Sequence, residues 1–446
     1  MKRRPAALMK PRPAGWVADL VAAAVALALV VAAAITAGVL QLLGHPAHAA
    51  AAPLFAHWLP HVGPGTPLAI AVAVAVCRYG PVLAARLRWR PLLAASYVTA
   101  LLWTLSLALV DGWQRGVAGR LTTRPEYLTE VPGVTDVPKM LRGFTGRILD
   151  FQPDSWTTHV SGHPPGALLV FVGLDRLGLS GGAWTGLLCI AAGALTAVAV
   201  PETVRLLVSE RAGRAAAPFV ALFPGAIWVG VSADGLFAGV TASGVAFLAY
   251  GLVRRSQPAA LVGGLLLAGG AYLSYGLVLM FVIVAAVVLS AHRAVPGAWR
   301  TAAWAIAGAA AVVATFTAAG FDWLTGYHLV TRRYYQGIAA HRPYAYWVWA
   351  NLAALTIAAG PVAAVIIRRA VAARRGPWLL PLAAAAAILA ADLSGYSKAE
   401  VERIWLPFAV WLLAGAALLP ARTRRRWLIA QAAVALIVNH VLLTVW

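Results

Sequence analysis

Apolar runs of 15 to 28 residues recur along almost the whole chain, separated by short polar breaks. A hydrocarbon layer about 30 Å thick asks for roughly 20 apolar residues per spanning helix. The pattern predicts spans over 16–43, 66–86, 91–110, 182–204, 214–232, 235–253, 259–273, 275–291, 301–320, 345–367, 377–391, 404–420 and 427–445, about 13 in all. One further run, 164–174, is only 11 residues long. As a helix it would reach about 16 Å, so it predicts a juxtamembrane helix over 164–177 rather than a crossing. Pro164 and Pro165 open it, where proline suits a first helical turn. Ala, Gly and Leu fill the spans, which suits close helix packing in lipid. No heptad, internal repeat or soluble domain is legible. The fold class is an all-α polytopic membrane protein.

The totals agree: 61% of residues are hydrophobic and 11% charged, with mean hydropathy +0.78. A net charge of +21 raises the question of nucleic acid or anionic lipid, and the placement of the charge answers it. The segments on the side of the N-terminus hold 24 of the 36 Lys and Arg and only three acids, Asp19, Glu202 and Glu210. Those on the other side hold 12 of each sign. That asymmetry is a topology signal, with the N-terminus cytoplasmic and no nucleic-acid partner. Residues 1–50 begin like a signal peptide, but the apolar run to Leu43 far exceeds the ~7–15 residues of a signal core. It reads as an uncleaved first span. Cys77 and Cys189 fall at or inside spans, which argues against a structural disulfide.

Polar chemistry gathers on the predicted outer side. Residues 111–174 carry eight acids or histidines: Asp111, Glu126, Glu130, Asp136, Asp150, Asp154, His159 and His163. Asp111 closes an apolar run and sits at the water boundary; it reads either as a general base or as a solvated helix end. His163 precedes two prolines that fix the backbone, so its imidazole is either held for a purpose or incidental to a capping turn. Lys139, Arg142 and Arg147 share a spacing that suits one face of an amphipathic surface helix. Arg332-Arg333-Tyr334-Tyr335 reads as a phosphate grip at headgroup level or as interface anchors. Arg403, with Glu400 and Glu402 beside it and Lys398 just before, reads as a ligand contact or a structural ion pair. Zinc-spaced His/Cys sets, phosphate-binding loops and serine nucleophile elbows are missing from the sequence.

Four features taken together resemble the GT-C polytopic glycosyltransferases: the acid ending an early span, the long outer loop, the His163-Pro164-Pro165 element and the outer turn at Asp234. These are relatives of protein mannosyltransferases and aminoarabinose transferases that use polyprenyl-phosphate sugars. The resemblance covers chiefly 91–255, and EVERIWLPF is similar to a segment of actinobacterial integral-membrane members. It implies three parts: a tail and two extra spans over 1–90, a GT-C-like core over 91–255 with outer loop 111–181, and a C-terminal region over 256–446 with outer loops 321–344 and 392–403. It implies transfer of a sugar, at the outer face of the plasma membrane, to a hydroxyl of a glycan, lipid or protein. Asp111 would activate the acceptor or help hold a divalent cation, and His163 and Asp234 would face the site. Arg403 or Arg333 would hold the lipid phosphate, with Arg332, Lys398 and Glu400 as further substrate contacts. The chain departs from the family pattern at Gly112, where a second acid is frequent, and at Gly166, where Leu is. A transporter or flippase for a lipid-linked sugar is the rival reading. It favours repeats and broken helices, which the sequence does not display. A non-catalytic scaffold would not need the polar loop.

Overall fold

A computed structural model describes residues 14–230, 232–295, 297–373 and 376–445. The basic stretch 1–12 lies outside the described residues. Among the described residues helices dominate, with one two-stranded sheet. Among the described residues, seven helices are long and apolar enough to cross a membrane: Gly15–Leu42, Thr66–Arg86, Trp89–Asp111, Gly182–Leu207, Ala233–Arg254, Tyr275–Arg293 and Trp299–Ala318. Each overlaps an expected span. The chain is therefore a multi-pass, all-α membrane protein.

The expected count of 13 is not reproduced, for reasons visible in the chain. The span expected over 345–367 is two helices, Tyr344–Ala359 and Val362–Ala372, bent by 102°. Pro361 follows Gly360, whose φ of +79° is open to glycine and strained for other residues. With this break, eight crossings pass on length and composition. Gln257–Leu273, Leu379–Leu393 and Leu406–Leu418 are apolar but short, about 20–26 Å at helical rise. The span expected over 214–232 is also interrupted: the helix Glu210–Ala221 stops before Pro224, and a short turn, Ala226–Val229, follows. Gln431 takes up the main chain freed there, its Nε2 donating to the carbonyls of Phe219 and Leu222 at 2.7 Å each. The run over 427–445 ends as helix at Val441. Leu442–Thr444 then pairs antiparallel with Ala56–Trp58.

Small residues set the tightest packing, as expected for helices in lipid. A Cβ on Gly264 would lie 1.9 Å from the carbonyl oxygen of Ala305, so Gln257–Leu273 and Trp299–Ala318 meet backbone to backbone. The helix over 164–177 forms separately as Pro165–Arg176. Gly166 at its start answers the missing leucine, because a Cβ there would stand 2.4 Å from the Tyr272 carbonyl oxygen.

Polar groups segregate to two ends. At one, Asp19 is bound by Arg368 and Arg369, Glu202 by Trp89 and Arg205, and Glu210 by Arg214. The other end collects the loops from 45–65, 111–164, 321–343 and 392–403. Cys77 and Cys189 are both buried and free.

Candidate functional site

The site begins with Asp234, in the first turn of Ala233–Arg254, where a helix N-terminus favours a carboxylate. Its Oδ2 accepts from Arg403 Nη1 at 2.8 Å. Arg403 Nη2 donates to Glu400 Oε2 at 2.8 Å, and Glu400 Oε1 accepts from Arg342 Nη1 at 3.0 Å. Charges thus alternate along Asp234, Arg403, Glu400 and Arg342, drawn from three separate stretches of chain. Asp234, Arg403 and Arg342 are buried, at 4–6% exposure, so none of them relies on bulk water for its charge. Burial works against the charge on Arg403, but Asp234 and Glu400 outweigh it and hold the guanidinium above its ordinary pKa. Burial likewise opposes the charge on Glu400, and Arg403 and Arg342 overcome it, leaving its pKa low.

The loop that supplies Glu400 is held in an unusual shape. Ala399 and Glu400 have φ of +69° and +63°, left-handed values uncommon for residues with a side chain. Asn351 compensates. Its Nδ2 donates to Asp392 and to the Ser397 carbonyl, and its Oδ1 accepts from the Ala399 N–H. Lys398 follows the same loop, its carbonyl accepting from Arg342 at 2.9 Å. Of the two acids offered as structural ion partners in one reading of Arg403, Glu402 turns the other way. Its Oε1 accepts from the Phe55 N–H at 2.9 Å, and burial pushes its carboxyl up to about 7.

A second set of groups lies against this chain. His159 Nδ1 stands 3.3 Å from Glu126 Oε2, both side chains buried. His163 Nδ1 lies 2.7 Å from the His159 carbonyl oxygen, so that nitrogen carries the proton and Nε2 is left as a base. The Tyr127 ring contacts both imidazoles, and Phe237 flanks His163. Burial drives the His163 pKa down to about 4, against a smaller opposing pull from Asp234. Glu126 and His159 belong to the polar loop but were not singled out in it. Arg342 and Asn351 were missed outright. For Arg342 the available signal was position, a lone cation just ahead of a proline and a span.

Asp111 stands in a neighbouring group. Its Oδ1 is 2.7 Å from His61 Nε2, and its Oδ2 accepts from Arg120 Nη2 at 3.0 Å, with Arg115 3.9 Å away. His61 Nδ1 is also 2.7 Å from an oxygen, the Leu59 carbonyl, so both ring nitrogens face acceptors. The two groups meet at Phe55. Its carbonyl accepts from the Val445 N–H, its N–H reaches Glu402, and Arg342 lies over its ring at 5.3 Å. Arg120 reaches the carbonyl of Val445 from the Asp111 side. Asp111 is the one carboxylate of its group and its neighbours are cationic, a donor set that does not suit a divalent cation. Among the described residues no group of three or more His, Cys, Asp or Glu is placed to hold a metal.

The remaining expected residues are dispersed. Arg333 pairs with Asp150 and reaches Ser161. Arg332 is exposed. Lys139 lies in a short helix, Val137–Gly143, capped by Asp136. Arg147 lies over the Trp156 ring, beside Glu130 and Asp154, and so braces the loop rather than presenting a lipid-facing charge.

The class these features define is a polytopic helical membrane protein with a buried, charge-alternating site at one end. No family model and no curated protein matches the sequence. Among solved structures the chain is similar to ArnT from Cupriavidus metallidurans in the apo state, at 18% identity and TM-score 0.45. The match covers 73% of this chain and 60% of that one, so this chain spans less than two thirds of that protein's length.

Proposed function

We propose that the chain is a membrane glycosyltransferase that moves a sugar from a polyprenyl-phosphate carrier to an acceptor hydroxyl at the outer face of the plasma membrane. The observation that carries this reading is the state of Arg342. It is buried, spends Nη1 on Glu400 and Lys398, and among the described residues no acceptor meets its Nε or Nη2. Buried donors without partners are costly, and a departing phosphate would satisfy them. Arg403 and Lys398 add positive charge beside it. A cavity of about 500 Å³, lined by Val25, Leu29, Leu352, Leu355, Ile367 and Leu412 among others, opens just past Asn351 along the Tyr344–Ala359 helix. An isoprenoid tail suits that apolar lining.

In the proposed step the acceptor hydroxyl attacks the anomeric carbon as the bond from that carbon to the phosphate oxygen breaks. Polyprenyl phosphate leaves, with the guanidinium groups stabilising its growing charge. Asp111 takes the hydroxyl proton, the acceptor displacing His61 from Oδ1. Asp234 holds Arg403 in place, and neutral His163 presents Nε2 to the sugar. Purified protein given radiolabelled polyprenyl-phosphate sugar should transfer the label. Asp111→Asn should abolish transfer while leaving membrane insertion intact, and unchanged transfer would remove Asp111 from the base role.

A further inference from the structure

Tyr334, Tyr335 and Tyr396 come from two separate loops and turn their rings toward one another. Tyr334 meets Tyr335 at 5.3 Å and 87°, Tyr396 meets Tyr334 at 6.0 Å and 76°, and Tyr396 meets Tyr335 at 6.1 Å and 64°. The result is a three-walled corner. Tyr335 and Tyr396 remain 48% and 44% exposed, so the corner is open. The Lys398 ammonium lies 5.0 Å from the Tyr335 ring centre and 6.0 Å from that of Tyr334. Gly395 turns the chain beside it at φ +74°, and a Cβ there would lie in ordinary contact, 3.5 Å from the Tyr344 ring and 3.9 Å from the Tyr335 hydroxyl.

Tyrosines that only anchor a protein at the membrane interface point their hydroxyls to water and their ring bodies to lipid. These rings meet edge to face, two of them flank a cation, and the backbone N–H of Lys398 donates to the Tyr334 hydroxyl at 2.8 Å, fixing one wall. Aromatic faces offer an apolar surface for the C–H face of a sugar ring, while the hydroxyls and the ammonium bond its rim. The corner joins the charged site directly, because the Lys398 carbonyl is bound by Arg342.

We propose that the corner formed by Tyr334, Tyr335 and Tyr396 over Lys398 is a subsite for a sugar ring of the acceptor, which makes the acceptor a glycan. The proposal rests on the transferase reading for the word acceptor, but sugar binding at the corner is measurable without turnover. Full-length protein in lipid nanodiscs, without donor, is mixed in turn with methyl disaccharides of hexopyranose and of pentofuranose type, and saturation-transfer NMR is recorded. The expected result is transfer to the C–H protons of one sugar face. Tyr335→Ala and Tyr396→Ala should each weaken binding by about tenfold, the scale of one lost aromatic contact. Tyr335→Phe should retain it. No transfer to any of the disaccharides would overturn the subsite, as would binding unchanged in both alanine variants that still melt as folded protein. Sugar binding without label transfer in the radiolabel assay would keep the subsite and sink the transferase. Label transfer unaffected by both alanine substitutions would do the reverse.

Discussion

Apart from Asp19, which is buried between the distant Arg368 and Arg369, the two polar ends of the molecule pair charge in different ways. At the basic end, two of the three acids are paired within one helical turn: Glu202 with Arg205, and Glu210 with Arg214. Most of the Arg there is left to water and headgroups, which suits a region whose charge sets orientation. At the other end the pairs join distant stretches and are buried: Asp234 with Arg403, Glu400 with Arg342, Glu126 with His159. Burying ions costs desolvation that an apolar core would avoid, so this end is arranged for something other than stability.

Breaking a pair at each end sharpens the contrast. Arg403→Met should have the largest effect, because it leaves Asp234 and Glu400 buried without their shared partner. A loss of about 3–5 kcal/mol is expected, read by thermal unfolding in detergent, together with loss of transfer. Gly166→Ala tests how closely the proline-opened helix approaches Tyr272. The added methyl should cost about 1–3 kcal/mol by the same measurement. Asp19→Asn at the basic end should cost less than Arg403→Met, since Asp19 is buried but Arg368 and Arg369 are partly exposed and can turn to solvent. It should leave transfer unchanged.

A further test is a pH slope. Glu402, raised to about 7 by burial, is folded most favourably as the neutral acid. Its contribution is complete below the unfolded value of 4.5 and is lost as pH rises through about 7. His163, lowered to about 4, does the opposite: its contribution holds above 6.5 and is lost as pH falls toward 4. Melting temperatures between pH 4 and 8 should therefore flatten on the alkaline side in Glu402→Gln and on the acid side in His163→Gln. An unchanged alkaline slope in Glu402→Gln would show that its carboxyl does not hold a proton in the folded protein.

Much of this was legible in the chain. Apolar run length located all seven long spans, and the charge asymmetry separated the two ends. Period and length could not foresee the interruptions, because Gly360-Pro361 and Pro224 break helices inside runs that stay apolar throughout. Glu400, Arg403 and His163 are candidates from residue type and setting, and Asp234 from the family resemblance. Their partners were not recognisable: Arg342 lies 58 residues from Glu400, and Asp234 lies 169 from Arg403, distances that only the folded packing closes. Arg333 shows the converse. It was equally plausible from sequence, yet Asp150 holds it.

Gln431 bears on how polar residues inside membranes are judged. A buried amide among apolar helices invites a role in transport or recognition. Here it serves as a splint, lending its two N–H groups to carbonyls that a proline-induced gap in another helix has stranded in an apolar surround. A leucine at that position would look like an improvement to a hydropathy plot, yet it would strand both carbonyls, so an interrupted helix and its distant repair have to be inherited together.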